Sequence, residues 1–165
     1  MLRLTDMAHD LIRAAIAPGA WVVDATVGNG HDTATLADAV GPTGHVIGFD
    51  AQAAALASVR VRLGAIQNVT LHHCGHEHLA AHLPVEARHR LSAVMFNLGY
   101  LPGAEKTVIT RAETTIAALG QAVAHLAVGG RISVMLYTGH PGIFGASSRD
   151  GVIRDDDNGI FCPLV

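Results

Sequence analysis

Short apolar segments alternate five times with helical patterns along this chain, and this alternation limits its fold more than any other feature. The predicted strands are AWVVDA, HVIGFD, NVTLHHC, LSAVMFNL and RISVMLY. Such short, almost continuously apolar runs are typical of strands buried on both faces of a parallel sheet. Since right-handed crossovers place helices on both faces, the sequence predicts a doubly wound, Rossmann-like α/β fold.

The composition agrees with a single globular domain over residues 1–165. Hydrophobic residues make up 50% of the chain and charged residues 15%, which excludes an intrinsically disordered protein. The N-terminus lacks a signal peptide's apolar core, so we expect a cytoplasmic protein that does not enter the membrane. The formal charge of −3 does not indicate a nucleic-acid-binding protein, but four arginines are candidates for a local basic patch or, alternatively, a solvated face: Arg60, Arg62, Arg88 and Arg90.

The first predicted strand ends in Asp24 and leads into a glycine turn, VVDATVGNGHDT. Gly28 and Gly30 permit a tight turn and a close approach of a ligand to the backbone. A dinucleotide-binding fingerprint would place a third glycine where Thr33 stands, so the turn favours a ligand without a pyrophosphate. An ordinary strand-to-helix turn is the alternative.

Asp50 ends the second predicted strand, 20 residues after Gly30. At this spacing a carboxylate in such folds accepts hydrogen bonds from ribose hydroxyls. A glycine turn without a phosphate cradle, together with a ribose-binding acid, fits S-adenosylmethionine better than NAD. Asp50 is also a candidate N-cap for the next helix, and the two roles are compatible.

Two further strand ends carry polar residues. Asn97 ends the fourth predicted strand, where its amide would position an amine or hydroxyl nucleophile or, alternatively, cap a turn. The third strand runs into HHCGHEH, which resembles a metal site. His72 and His73 must point to opposite faces of a strand, however, and no well-spaced Cys or His completes a tetrahedral set. We therefore predict no metal, and expect His76 to reach an adenosine.

These features converge with several specific segments, among them GFDAQ, GHEHL, FNLGYLPGAEK, TTIAAL and YTGHPG. Over about residues 5 to 142 the chain resembles the YtqB/MnmM family of methyltransferases. The resemblance implies a class I fold with strand order 3-2-1-4-5 that uses S-adenosylmethionine. It also implies a homodimer that acts on tRNA, methylating the amino group of 5-aminomethyl-uridine, often 2-thiolated, at the wobble position.

The resemblance also implies site residues, which join those read from the strand ends. The predicted cofactor-binding residues are Asp24, Gly28, Asn29, Gly30, Asp32, Asp50, Gln52, Gly75, His76 and Asn97. The predicted catalytic residues are Asn97, Tyr100 and His140. Tyr100 would stack on the splayed base, and His140 is the candidate base because imidazole accepts protons near neutral pH.

Residues 141–165 depart from the family pattern, so we expect the C-terminal strand pair to be shortened or absent. This departure keeps other functions open. A small-molecule or rRNA methyltransferase would share the cofactor site but not the substrate. A remnant with a truncated C-terminus would bind S-adenosylmethionine without catalysis. A metal-dependent enzyme would instead use the histidine run.

Overall fold

The structure is a computed structural model that describes residues 3–98, 111–137, 153–154 and 159–164. This part of the chain contains five helices: α1 (Leu4–Arg13), α2 (His31–Val40), α3 (Ala53–Leu63), α4 (Leu79–His82) and α5 (Ala112–His125). Short 3-10 turns over His76–His78 and Val85–Ala87 lie on either side of α4. The strands are β1 (Trp21–Asp24), β2 (His45–Asp50), β3 (Val69–His73), β4 (Leu91–Leu98), β5 (Leu126–Tyr137), β6 (Ile153–Arg154) and β7 (Gly159–Leu164).

The strands form one sheet in the order β3-β2-β1-β4-β5-β7-β6. β1 to β5 are parallel to one another. This confirms the predicted doubly wound sheet with strand order 3-2-1-4-5. The direction of winding reverses between β1 and β4, and ligands of such sheets bind at the carboxyl ends of the strands beside this reversal.

The C-terminal strands correct one expectation. β7 has six residues and pairs antiparallel with β5, with Val134 opposite Cys162 near its middle. An absent strand pair is therefore wrong, since β6 also pairs antiparallel with β7. The segment GIFCPL contains a proline, which weakens its local strand signal. It becomes a strand because β5 would otherwise present an unpaired edge.

Alternate strand residues bury on opposite faces of the sheet. Val23 and Val94 belong to one core cluster, which includes Ala118 of α5. Val22 belongs to a second cluster, which includes Ile12 of α1. The predicted helix layers on both faces are thus confirmed. Within the described ranges, no helix is long and apolar enough to cross a membrane.

Candidate functional site

Polar side chains lie where three neighbouring strands end. Asp24 is the last residue of β1, Asp50 the last of β2, and Asn97 the last but one of β4. β1 lies between the other two strands, with Asp24 opposite Gly48 on one side and Met95 on the other. The structure therefore brings these three predicted residues to one edge. We call them, with the turn over residues 25–30, the carboxyl-edge site.

The turn of this site requires glycine at two positions. Gly28 and Gly30 have φ angles of 50° and 77°, in the left-handed region. A Cβ atom at Gly30 would also lie 2.7 Å from Cγ2 of Val59, inside van der Waals contact. The turn is closed by a hydrogen bond from the Gly30 N–H to the Val27 carbonyl, at 2.8 Å. The glycines are therefore needed for the turn to pack on α3.

Backbone groups orient the Asp50 carboxylate from two sides. Its Oδ2 accepts a hydrogen bond from the Gly28 N–H, and its Oδ1 accepts one from the Gln52 N–H, both at 2.8 Å. Gln52 is the N-cap residue of α3, so the acid joins the glycine turn to the start of that helix. Each carboxylate oxygen can accept a further hydrogen bond. The carboxylate is thus held in place with capacity left for a ligand's hydroxyls.

Asp24 is fully buried under the turn. Its Oδ2 accepts a hydrogen bond from the Thr33 hydroxyl at 2.6 Å, and its Oδ1 accepts one from the Thr26 N–H at 3.1 Å. Burial, reinforced by the nearby charge of Asp32, raises the pKa of Asp24 to about 7. Asp24 therefore supports the turn from below, and its burial favours the protonated carboxyl.

Asp32 and Asn97 meet in a polar cluster that also includes two residues not predicted from the sequence. The Asn97 Nδ2 donates to Oδ2 of Asp32 at 3.3 Å, and Nε2 of His9 lies 2.7 Å from Oδ1 of Asp32. The Asn97 N–H donates to the hydroxyl of Thr26 at 2.6 Å. His9 and Thr26 lack a local signal because their partners are 23 and 71 positions away along the chain.

His76 is buried, and both of its ring nitrogens face protein atoms. Nδ1 lies 3.2 Å from the Ala25 carbonyl, and Nε2 lies 3.4 Å from the Thr115 hydroxyl of α5. The ring also packs edge-to-face on Phe96. Burial lowers the pKa of His76, so the neutral ring donates from Nδ1 to the carbonyl. The predicted adenosine contact stays a prediction, and the ring nitrogens have structural partners.

The backbone carbonyl of Asn29, another predicted cofactor contact, is hydrogen-bonded to an exposed arginine of α3. Its carbonyl accepts a hydrogen bond from Nε of Arg62 at 2.7 Å, and Nη2 of the same guanidinium lies 3.2 Å from Nε2 of His31. Gly75 lies at the start of the 3-10 turn that contains His76. Tyr100 and His140, the predicted stacking residue and base, lie outside the described residues.

In the histidine run HHCGHEH, the ring of His72 packs against neighbouring rings. The ring of His72 stacks on Phe49, with 5.2 Å between ring centroids, and lies 4.4 Å from the ring of His82. His73 points elsewhere, with Nε2 3.1 Å from the Ala51 carbonyl. In residues 3–98, 111–137 and the described parts of β6 and β7, no three His, Cys, Asp or Glu side chains are arranged to hold a metal ion.

Comparison with known families gives a match over most of the chain. A family whose description reads "Putative rRNA methylase" matches residues 46–152. A relative from Arabidopsis thaliana, named tRNA (mnm(5)s(2)U34)-methyltransferase, chloroplastic, is 38% identical over 151 residues. This alignment covers 85% of the chain and 54% of the relative, so the chain spans about half the length of that relative.

Two solved structures share the fold over most of their length. One, from Clostridium thermocellum and described as an rRNA methylase in the same words as the family, is 35% identical with a TM-score of 0.84. The matched regions are 98% of this chain and 96% of that protein. The other, described as a methyltransferase from Streptococcus mutans in complex with SAH, is 33% identical with a TM-score of 0.73. The matched regions are 83% of this chain and 74% of that protein.

Proposed function

Because this chain belongs to the rRNA methylase family, we propose that it is an S-adenosylmethionine-dependent methyltransferase acting on tRNA. Its substrate group is the amino group of 5-aminomethyl-(2-thio)uridine at the wobble position. The carboxyl-edge site is the observation that carries the proposal, since it combines a glycine turn, an oriented carboxylate and an amide beside the reversal in strand order. The name of the 38% identical Arabidopsis relative contains mnm(5)s(2)U34, the methylated form of this uridine.

The residues of the carboxyl-edge site fit S-adenosylmethionine. The remaining lone pairs of Asp50 suit the two ribose hydroxyls, and the turn at Gly28 and Gly30 lets a ligand approach the backbone. The other predicted contacts, Asn29, Gln52 and Gly75, border the same turn and strand ends. The S. mutans structure, which contains SAH, supports this assignment by its 33% identity.

We propose that Asn97 orients the nucleophile, because it lies near the carboxyl end of β4. When bound, S-adenosylmethionine supplies a methyl group activated on a sulfonium, whose C–S bond breaks as the new N–C bond forms, leaving S-adenosylhomocysteine. The protein's task is therefore to orient the amine and to favour its neutral form. We assign orientation to Asn97, and removal of the amine's proton to His140. Tyr100 is assigned to stacking on the base.

The test begins with calorimetric titration of S-adenosylhomocysteine into the protein. Methyl transfer is then measured with two tRNA preparations, one bearing 5-aminomethyl groups and one already methylated there. We expect binding, and incorporation into the first preparation but not the second. Absence of binding would contradict the cofactor assignment. Binding without transfer to any RNA would instead identify a non-catalytic remnant.

Ribosomal RNA is the second candidate substrate, favoured by the description of the family itself. It predicts incorporation into rRNA from ribosomes that lack the modification, with none into the aminomethyl-bearing tRNA. The same assay separates a small-molecule methyltransferase, which would label neither RNA.

Three associated proposals concern the whole protein. We propose a homodimer, which light scattering of the purified protein tests by its mass. We also propose one domain over residues 1–165 with a divergent segment at 141–165. A cytoplasmic location is proposed too, and localisation of a tagged copy tests it, since the Arabidopsis relative is chloroplastic by name.

A further inference from the structure

The polar cluster that contains Asp32 and Asn97 also contains His9, a histidine of α1. We propose that His9 is a positioning residue for the transfer step: through Asp32 it orients the Asn97 amide so that its oxygen faces the substrate's amine. This inference rests on the proposed function. The inference concerns a residue outside the carboxyl-edge site, because His9 belongs to α1, which comes before β1 in the sequence.

The contact between His9 and Asp32 is short and largely sheltered from water. Nε2 and Oδ1 are 2.7 Å apart, and the two side chains are 20% and 9% exposed. Since a carboxylate accepts hydrogen bonds, Nε2 carries the hydrogen and donates. Hydrogen bonds to a charged partner in such surroundings are among the stronger ones in proteins. His9 therefore fixes the plane of the Asp32 carboxylate.

The second oxygen of Asp32 determines how the Asn97 amide is turned. Oδ2 accepts from Nδ2 of Asn97 at 3.3 Å, so the NH₂ group faces the carboxylate and the carbonyl oxygen faces away from it. The Asn97 backbone is also held, because its N–H donates to the Thr26 hydroxyl. The group left to meet a substrate is an acceptor, which matches the N–H groups of an amine.

A hydrogen bond between α1 and the sheet helps to hold His9 at this position. The carbonyl of Leu11, two residues further along α1, accepts a hydrogen bond from Nη1 of Arg131 at 2.8 Å. Arg131 lies on β5, next to β4, which carries Asn97. The helix α1 is thus hydrogen-bonded to the same sheet that carries Asn97, and this contact fixes the position of His9.

The main test compares His9→Phe with His9→Gln. Phenylalanine keeps a ring of similar size but removes the donor, whereas glutamine keeps an N–H donor of similar reach. We expect His9→Phe to lower kcat by about 10- to 100-fold, as small displacements of orienting groups do. Affinity for S-adenosylhomocysteine should stay within about twofold. His9→Gln should recover most of the activity, and Asp10→Asn, an exposed neighbour, is the matched control.

A second measurement does not depend on turnover. The Asn97 side-chain NH₂ signals in nitrogen-15 NMR spectra, assigned with Asn97→Ser, should shift in His9→Phe and return in His9→Gln. In an Asp32→Asn background, His9→Phe should have little additional effect on kcat. Wild-type activity retained in His9→Phe, or unchanged NH₂ signals, would overturn the positioning role. Failure of the wild-type protein to methylate RNA would instead contradict the proposed function, and the NMR result would still decide the positioning of Asn97.

Discussion

The protonation of Asp24 links the carboxyl-edge site to the stability of the fold. Its pKa is raised from 3.8 to about 7 in the folded protein, chiefly by burial. The folded state therefore binds this proton more tightly than the unfolded state. The resulting contribution to stability is complete below about pH 4 and is lost as the pH rises to about 7.

Asp24→Asn should remove this pH dependence. An asparagine can accept from the Thr26 N–H and donate to the Thr33 hydroxyl, so it fits the same partners. Relative to wild type, the variant should gain about 2–3 kcal/mol in free energy of unfolding between about pH 5 and about pH 8, because the slope is about 1.4 kcal/mol per pH unit from about pH 5 to the folded pKa of about 7. Urea denaturation at both values measures this. An equal difference at both pH values would contradict it, and Glu86→Gln, at an exposed site, is the control.

Asp50 leads to a prediction about ligand affinity. Asp50→Ala should weaken binding of S-adenosylhomocysteine by about 1–3 kcal/mol, through lost hydrogen bonds to the ribose and a less fixed turn. Calorimetry measures the change. Asp38→Ala removes an exposed acid of α2 and should leave affinity unaltered. If Asp50→Ala bound S-adenosylhomocysteine with wild-type affinity, the proposed contact between the carboxylate and the ribose would be wrong.

At the scale of single residues, the sequence predicted the polar residues at the strand ends but not the side chains that contact them. Asp24, Asp50 and Asn97 were found because each ends an apolar run, and parallel strands place such ends together. His9 and Thr26 were not found, because only the folded sheet brings them to Asp32 and Asn97. Tyr100 and His140 were predicted because they follow the fourth and fifth predicted strands, and their roles stay predictions.

Among the elements, the turn between β1 and α2 gives the sharpest comparison. Gly30 and Gly41 both have left-handed φ angles, 77° and 67°. An added Cβ would overlap Val59 at Gly30, whereas nothing lies within 4 Å of one at Gly41. The two positions therefore separate backbone strain from steric overlap.

Gly41 has a ψ angle of −175°, a conformation that is nearly restricted to glycine, so Gly41→Ala should cost about 1–3 kcal/mol of stability from backbone strain alone. Gly30→Ala should cost about 1 kcal/mol from its left-handed conformation and about 1–3 kcal/mol more from the overlap with Val59, and should also weaken cofactor binding. Urea denaturation and calorimetry measure the two effects. In a Val59→Ala background the cost of Gly30→Ala should shrink, whereas the cost of Gly41→Ala should stay the same. An unchanged cost of Gly30→Ala in that background would show that the overlap with Val59 does not destabilise the variant.

Element boundaries were predicted less well than element types. The sequence predicts that the fifth helix continues to the Gly129–Gly130 pair, but α5 ends at His125 and β5 begins at Leu126. Leu126 pairs with Leu91 of β4, so a contact with a distant strand overrides the local helical pattern. Thr5 and Asp6 are residue types that favour N-cap positions, but α1 begins before them at Leu4 and its N-cap residue is Arg3.

For the whole molecule, three of the arginines that were candidates for a basic patch or a solvated face lie at different edges of the sheet. The Arg62 guanidinium reaches the glycine turn at the carboxyl edge. Arg88 and Arg90 directly precede β4, at the amino edge. An RNA that enters the carboxyl-edge site would therefore meet Arg62 and not the other pair.

Arg62→Ala should weaken tRNA binding and reduce the slope of log affinity against log salt by about 1. Arg90→Ala should leave both unchanged. Filter binding or fluorescence anisotropy over a salt series measures the slope. The reverse pattern would place the RNA at the opposite edge of the sheet.

The contacts of α1 also determine when the carboxyl-edge site is complete. Leu11 and Arg131 are 120 positions apart, and α1 packs on β5 and β7. On a ribosome α1 emerges early, but its anchor is synthesised much later, and contacts of such long range form slowly. The Arg131 anchor of α1 is therefore absent until β5 has been synthesised. A nascent chain that stops before β5 can contain the glycine turn while α1 is unanchored, so we expect such a chain to be inactive.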